Sequence, residues 1–277
     1  MSRSQRRSGR ARLGGPVAVL AALATGCGGG GPSPPPAPPP PTVVDSPTCR
    51  PPRAHPAPVV LVHGTFAATS WAAIGPALAR RGYCVRIFRY GADGTGDIVA
   101  SADQLKTFVD ALRARTGAGR VALVGHSEGG LVARYYVRFL GGADHVDDLV
   151  GLSPSNHGTN NPLALGGALL GCTACEQQLA WGSSLLLRVN AGDETPGPVD
   201  YTSIQTRYDE VVIPYTSAFL SGPPARVTNV TLQADCPDDV SGHLDTPLDP
   251  VAVQWVLDAL GRPGPARPGF RPRCAAS

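Results

Sequence analysis

The sequence is poor in lysine, methionine and aromatic residues. Of 277 residues one is methionine and 6% are aromatic. Lysine occurs once, at Lys106, so arginine carries nearly all the positive charge. Charge is sparse too, at 16%, against 42% hydrophobic residues, which is too apolar for a disordered chain. Long apolar runs are missing. Leu13 to Thr25 falls short of the ~20 residues a spanning helix needs, and the composition is too mixed for a multi-span membrane protein. No acid precedes Asp45, yet five arginines (Arg3, Arg6, Arg7, Arg10 and Arg12) occupy the first twelve positions. Removing residues 1–26 takes the net charge from +3 to +3 − 5 = −2. A slightly acidic body has no electrostatic footprint for nucleic acid, and that partner class is set aside. No second cysteine or histidine pair stands at zinc-ligand spacing, so neither a metal nor another cofactor is expected.

What is present at the amino terminus reads as an address and a tether. Basic residues, a short apolar run and small residues before Gly26-Cys27 describe an export signal over residues 1–26. Cys27 is a candidate for lipidation, which would tether the protein to the outer face of the cell membrane; free secretion is the alternative. Residues 27–57 are rich in glycine and then proline, which favours an extended spacer. Beyond Cys27 six cysteines remain, an even set that suits disulfides in an oxidising compartment. Cys172 and Cys175 are close enough to close a small loop. Cys49 with Cys84 would staple the start of the domain, and Cys236 with Cys274 its tail.

From residue 58 to 277 strand and helix signals alternate. Val59 to Val62, Val85 to Phe88, Val121 to Val124, Leu149 to Leu152, Tyr201 to Thr206 and Val227 to Leu232 read as strands. Helical stripes lie between them. One runs through Leu131, Val132, Tyr135 and Phe139, with Arg134 and Arg138 on its polar side. A last helix has Asp249 as N-cap, Pro250 at its first position and Gly261 as its stop. This pattern predicts one α/β domain with a mostly parallel sheet covered on both faces, and about 215 residues suffice to bury it. Residues 157–198 break the alternation; they read as a lid-like insertion or as an ordinary packed helix pair.

The chemistry converges on Gly125-His126-Ser127-Glu128-Gly129. A G-x-S-x-G stretch after four apolar strand residues and before an amphipathic helix is the context of a nucleophile elbow. The serine at such an apex needs a base held by an acid. The chain order serine, acid, histidine selects Asp209 and His243: His243 follows the final strand, and Asp209 follows the strand before it. Glu210 is the competing acid. His126 and His157 read as structural, His157 fixing a turn. His63-Gly64-Thr65 ends the first strand, where the fold lends a backbone N–H to an oxyanion hole. Thr65 and Glu128 are the two candidate donors.

Several blocks together resemble the class 2 bacterial lipases, secreted triacylglycerol lipases and esterases of the α/β-hydrolase superfamily. They are Pro58 to Thr65, Gly125 to Gly130, Asn156-His157-Gly158-Thr159, Thr206-Arg207-Tyr208-Asp209 and Gly242-His243-Leu244. The resemblance implies an α/β-hydrolase fold, with Asp209 as acid and His243 as base. It also implies lipophilic esters met at a lipid–water interface, no cofactor, and an extracellular monomer. The departure is Glu128, where the family more often has an amide or an apolar residue. A carboxylate there would oppose an oxyanion unless it turned to solvent. An acyltransferase on the same scaffold and a non-catalytic surface binding protein are the rival readings.

Overall fold

A computed structural model describes residues 45–274. The export signal, Cys27 and the spacer up to residue 44 lie outside the described residues. The part of the expected spacer that is described, residues 45–57, is fastened to the body. Asp45 pairs with Arg86 at 2.7 Å, Ser46 N–H donates to the Val85 carbonyl, and Cys49 is bonded to Cys84. These contacts hold the segment against the second strand.

Six strands form one parallel sheet: β1 (Val59–Val62), β2 (Val85–Phe88), β3 (Val121–His126), β4 (Val146–Leu152), β5 (Asp200–Gln205) and β6 (Val227–Thr231). Their order is β2-β1-β3-β4-β5-β6. The unbroken apolar runs of β1 and β3 follow from burial on both faces. Successive residues point to opposite sides. Val60, Val62, Val121 and Leu123 join one core; Val59, Leu61, Ala122 and Val124 join the other.

Helices α1 (Ile74–Arg80) and α7 (Pro250–Leu260) cover the second face, the first through Ile74 and Leu78, the last through Trp255 and Val256. Helices α2 (Ile98–Thr116) and α3 (Glu128–Phe139) cover the first. Asp97 caps α2 by accepting the Ala100 N–H at 2.9 Å, and Gly117 ends it at φ 72°, a left-handed stop that glycine adopts without strain. Asp249 caps α7 through Ala252 N–H at 2.6 Å, with Pro250 in the first turn.

The insertion forms three short helices: α4 (Pro162–Leu169), α5 (Thr173–Gln177) and α6 (Ser184–Val189). Arg134 is a correction to the expected polar face of α3. It is 2% exposed, and its guanidinium donates to the carbonyls of Asn156, Val189 and Glu194 and to Asn190 Oδ1. It sits under the insertion and binds it to the sheet; a helical stripe cannot reveal that a later segment will fold over its polar side. The six cysteines pair as Cys49–Cys84, Cys172–Cys175 and Cys236–Cys274.

Candidate active site

The strand β3 ends at His126, and Ser127 makes the turn into α3 at φ 54° and ψ −124°. A non-glycine residue there is strained, and the surrounding glycines make the strain tolerable. A side chain on Gly125 would meet the Gly129 backbone at 2.6 Å. One on Gly129 would run into the Val62 carbonyl. The elbow is thus pressed against the end of β1, which brings the next loop beside it. A Cβ on Gly64 would lie 2.9 Å from that of Ser127.

The Thr65 and Glu128 backbone N–H groups are taken by no hydrogen bond among the described residues; Glu128 opens α3, where the first N–H groups have no intrahelical partner. Free N–H groups at a helix start and in the adjoining loop suit a pair of donors to an anion.

Asp209 and His243 meet from loops 34 residues apart. The His243 Nδ1–H donates to Asp209 at 2.9 Å, and both side chains are almost wholly buried. Asp209 also accepts the Val211 and Val212 N–H groups at 2.9 and 2.6 Å. Burial pushes its carboxyl upward in pKa, but the hydrogen bond and charge of His243 and those two amides outweigh this. The carboxyl sits below its ordinary range and is ionised. Glu210, the competing acid, turns elsewhere: its Oε2 accepts the backbone N–H of His243 at 3.0 Å. His157 is held away from the pair, with Nδ1 on the Ser217 carbonyl and Nε2 3.0 Å from Glu194.

Ser127, His243, Thr65 and Gly64 line one cavity of about 270 Å³ with Val211, Val212, Leu163 and Leu244. No lysine, arginine, aspartate or glutamate lines it. Trp181 does not line it; it stands 58% exposed elsewhere on the insertion. Leu185 and Leu186 are core, while Leu187 is exposed.

Sequence reasoning missed a chain of polar contacts that braces these loops. Thr69 Oγ1 accepts the Gly64 N–H at 2.8 Å and donates to His126 Nδ1 at 2.8 Å; His126 Nε2–H donates to the His243 carbonyl at 3.0 Å. Burial, then the nearby His243, lowers the His126 pKa to about 3, so the ring is neutral and can accept on one nitrogen while donating from the other. A second chain starts at Ser155, whose hydroxyl donates to Gln178 Oε1; Gln178 Nε2 donates to Thr65 Oγ1 at 3.1 Å. Thr65 Oγ1 is also 2.6 Å from Glu128 Oε2. The contacts of His126 and Gln178 span more than a hundred positions, and local pattern carries no trace of them.

Glu128 differs from expectation as well. Its side chain does not turn to solvent; it is wholly buried. Burial, opposed by the Thr65 and Tyr90 hydroxyls, raises its pKa to about 8, so near neutrality it is an uncharged acid.

A parallel sheet with a strained serine between β3 and α3, and a histidine and acid on later strand-end loops, defines an α/β-hydrolase fold. Residues 56–256 match the family model "Lipase (class 2)", and the chain belongs to that family. Among solved structures it is similar to lipase B of Aspergillus fumigatus, at 25% identity and a TM-score of 0.65, over 76% of this chain and 54% of that one. The chain thus spans about half the length of that lipase. The mature form of Bacillus licheniformis lipase BlEst2 shares the fold at 16% identity and a TM-score of 0.53, over 67% of this chain and 87% of that one. No curated protein matches the chain.

Proposed function

We propose that the protein is an exported serine hydrolase that cleaves lipophilic carboxylic esters. Ser127 attacks the ester carbonyl, His243 takes its proton and returns it to the leaving alcohol, and Asp209 holds the imidazolium that forms. The Thr65 and Glu128 N–H groups stabilise the tetrahedral oxyanion. Water, activated by the same histidine, then releases the acid and restores the serine. The observation that carries this reading is the buried Asp209–His243 hydrogen bond at the wall of a cavity that Ser127 also lines.

The substrate class rests on the cavity and its mouth. A lining without charged carboxylate, ammonium or guanidinium groups suits an acyl chain rather than an ionic ligand. Helix α4 buries none of its residues although it is almost entirely apolar, and Leu163, Leu169 and Leu170 are 79, 80 and 90% exposed. Such a face on a cavity rim suits contact with a lipid surface. The three disulfides suit an oxidising compartment, and Cys27 supplies a lipid tether for the mature chain.

The test is hydrolysis of p-nitrophenyl esters of graded acyl length by the wild type and by Ser127→Ala. The reading expects turnover by the wild type and none above background by the variant. A folded wild type that hydrolyses no ester, or a variant of equal rate, contradicts it.

A further inference from the structure

Glu128 contributes only its backbone to the proposed reaction, yet its side chain is buried beside the reacting centre. We propose that this side chain serves catalysis as a neutral carboxylic acid, donating its proton to Thr65 Oγ1, and that losing the proton disables the oxyanion site. The inference rests on the hydrolase reading above and concerns a positioning residue within it.

Thr65 Oγ1 donates to Glu128 Oε2 when the carboxyl is ionised; the same 2.6 Å contact lets a neutral acid be the donor instead. Oε2 lies 2.6 Å from Thr65 Oγ1, whereas Oε1 is buried with no hydrogen-bond partner. An ionised carboxylate in that position would leave a full charge with one oxygen unsolvated, which is costly; a neutral carboxyl leaves only an unused acceptor. The Thr65 and Tyr90 hydroxyls offset burial only in part. Glu128 has no ion-pair partner among the described residues. Tyr90 is the titratable group beside it; burial lifts its pKa well above the ordinary value, and its hydroxyl proton is given to the His63 carbonyl at 2.7 Å. His63, stacked on Tyr90 at 4.2 Å, is lowered in pKa chiefly by burial, with Arg89 and Asp93 acting on it from opposite directions. His126, on the elbow side, is neutral. The backbone of Gly94 closes the remaining side: a Cβ there would meet Oε2 at 3.4 Å.

The consequence runs through one hydroxyl. Thr65 Oγ1 already accepts from Gln178 Nε2. When the acid of Glu128 also donates to it, the Thr65 proton stays free to face the cavity that Thr65 lines. When Glu128 ionises, Thr65 must donate to the carboxylate, and its proton turns away. The same event places a negative charge behind the N–H that should hold the oxyanion. No proton leaves Glu128 during turnover; the group acts by staying protonated.

The experiment compares kcat from pH 6 to pH 10, on a water-soluble p-nitrophenyl ester, for the wild type and Glu128→Gln. An infrared difference spectrum of the wild type across the same range reports protonated carboxyl directly. For a carboxyl titrating at about 8, the protonated fraction drops about tenfold between pH 7 and pH 9. The wild-type kcat should fall by that factor with KM little changed, while a buried C=O carboxyl band disappears. The glutamine keeps an N–H donor for Thr65 and cannot ionise, so its pH 9 to pH 7 ratio should be about tenfold higher. Equal ratios in the two proteins would overturn the inference. So would a wild type with no protonated-carboxyl band at pH 7, a result that stands even if the variant does not fold. Absence of turnover at every pH, by contrast, would strike the hydrolase reading itself, and the band missing from Glu128→Gln would still report the state of Glu128 apart from that of the buried Asp148, whose pKa burial also raises.

Discussion

The rim formed by the strand ends and the insertion that roofs it are built on opposite principles. At the rim, polar groups are small in number and closely paired: Gly64, Thr69, His126 and His243 form one connected chain, and Asp209 satisfies two amides besides the histidine. The insertion instead leaves apolar residues in water: Leu163 and Leu169 on α4 and Leu170 just after it are exposed. The contrast separates two tasks. Paired polar loops hold reacting groups within tenths of an ångström, as catalysis requires. An exposed apolar helix makes no such polar network, and on the proposed reading it meets a hydrophobic phase. Arg134 joins the two regions, fixing the base of the insertion to α3 while α4 stays at the surface.

If the division is right, changes at the rim should be costly for all substrates. Ser127→Ala should lower kcat about a millionfold, since nothing else at the site can form the acyl intermediate; steady-state hydrolysis of a soluble ester checks this. Asp209→Asn should cost about ten-thousandfold by leaving the imidazole in the wrong tautomer, read as kcat with KM little moved. His126→Ala removes the brace between the Gly64 loop and the His243 carbonyl without touching a reacting atom. A misplacement of that kind costs about a hundredfold in kcat, and a loss below twofold would show that the brace is ornamental.

Changes to the insertion should discriminate between substrates. In Leu169→Ser/Leu170→Ser, the ratio of activity on emulsified to dissolved ester should fall about tenfold, because the lost area would contact lipid only at an interface. An equal loss on both forms would blur the distinction between the regions.

A last effect is on stability. Glu128 binds its proton more tightly in the folded protein than in the unfolded chain, at about 8 against 4.5. Between those values the folded state holds more protons, so stability falls as pH rises through that window and levels off above it. Thermal unfolding of Glu128→Gln against pH should lack this slope.

Much of the fold was legible because burial on both faces writes β1 and β3 as uninterrupted apolar runs. Asp249-Pro250 marked a helix start by local capping chemistry. The candidate site was legible where chemistry is local or ordered along the chain: a serine between glycines, then an acid and a histidine after later strands. What stayed hidden depends on three-dimensional neighbours. The raised pKa of Glu128 follows from burial, with the Gly94 backbone, distant in sequence, closing one side of it. Arg134 looked solvent-facing because the segment that covers it lies more than twenty positions downstream. Proline-rich composition likewise gives no sign that a disulfide fastens Cys49 to the second strand.

The central claim is that the fold makes one hydroxyl, that of Ser127, nucleophilic. Reaction of the folded protein with a fluorophosphonate, followed by peptide mass spectrometry, measures this without any assumption about substrate. The account expects one adduct per chain on Ser127, abolished in His243→Ala. No adduct on folded wild type, or an adduct on a different serine that survives His243→Ala, would contradict it.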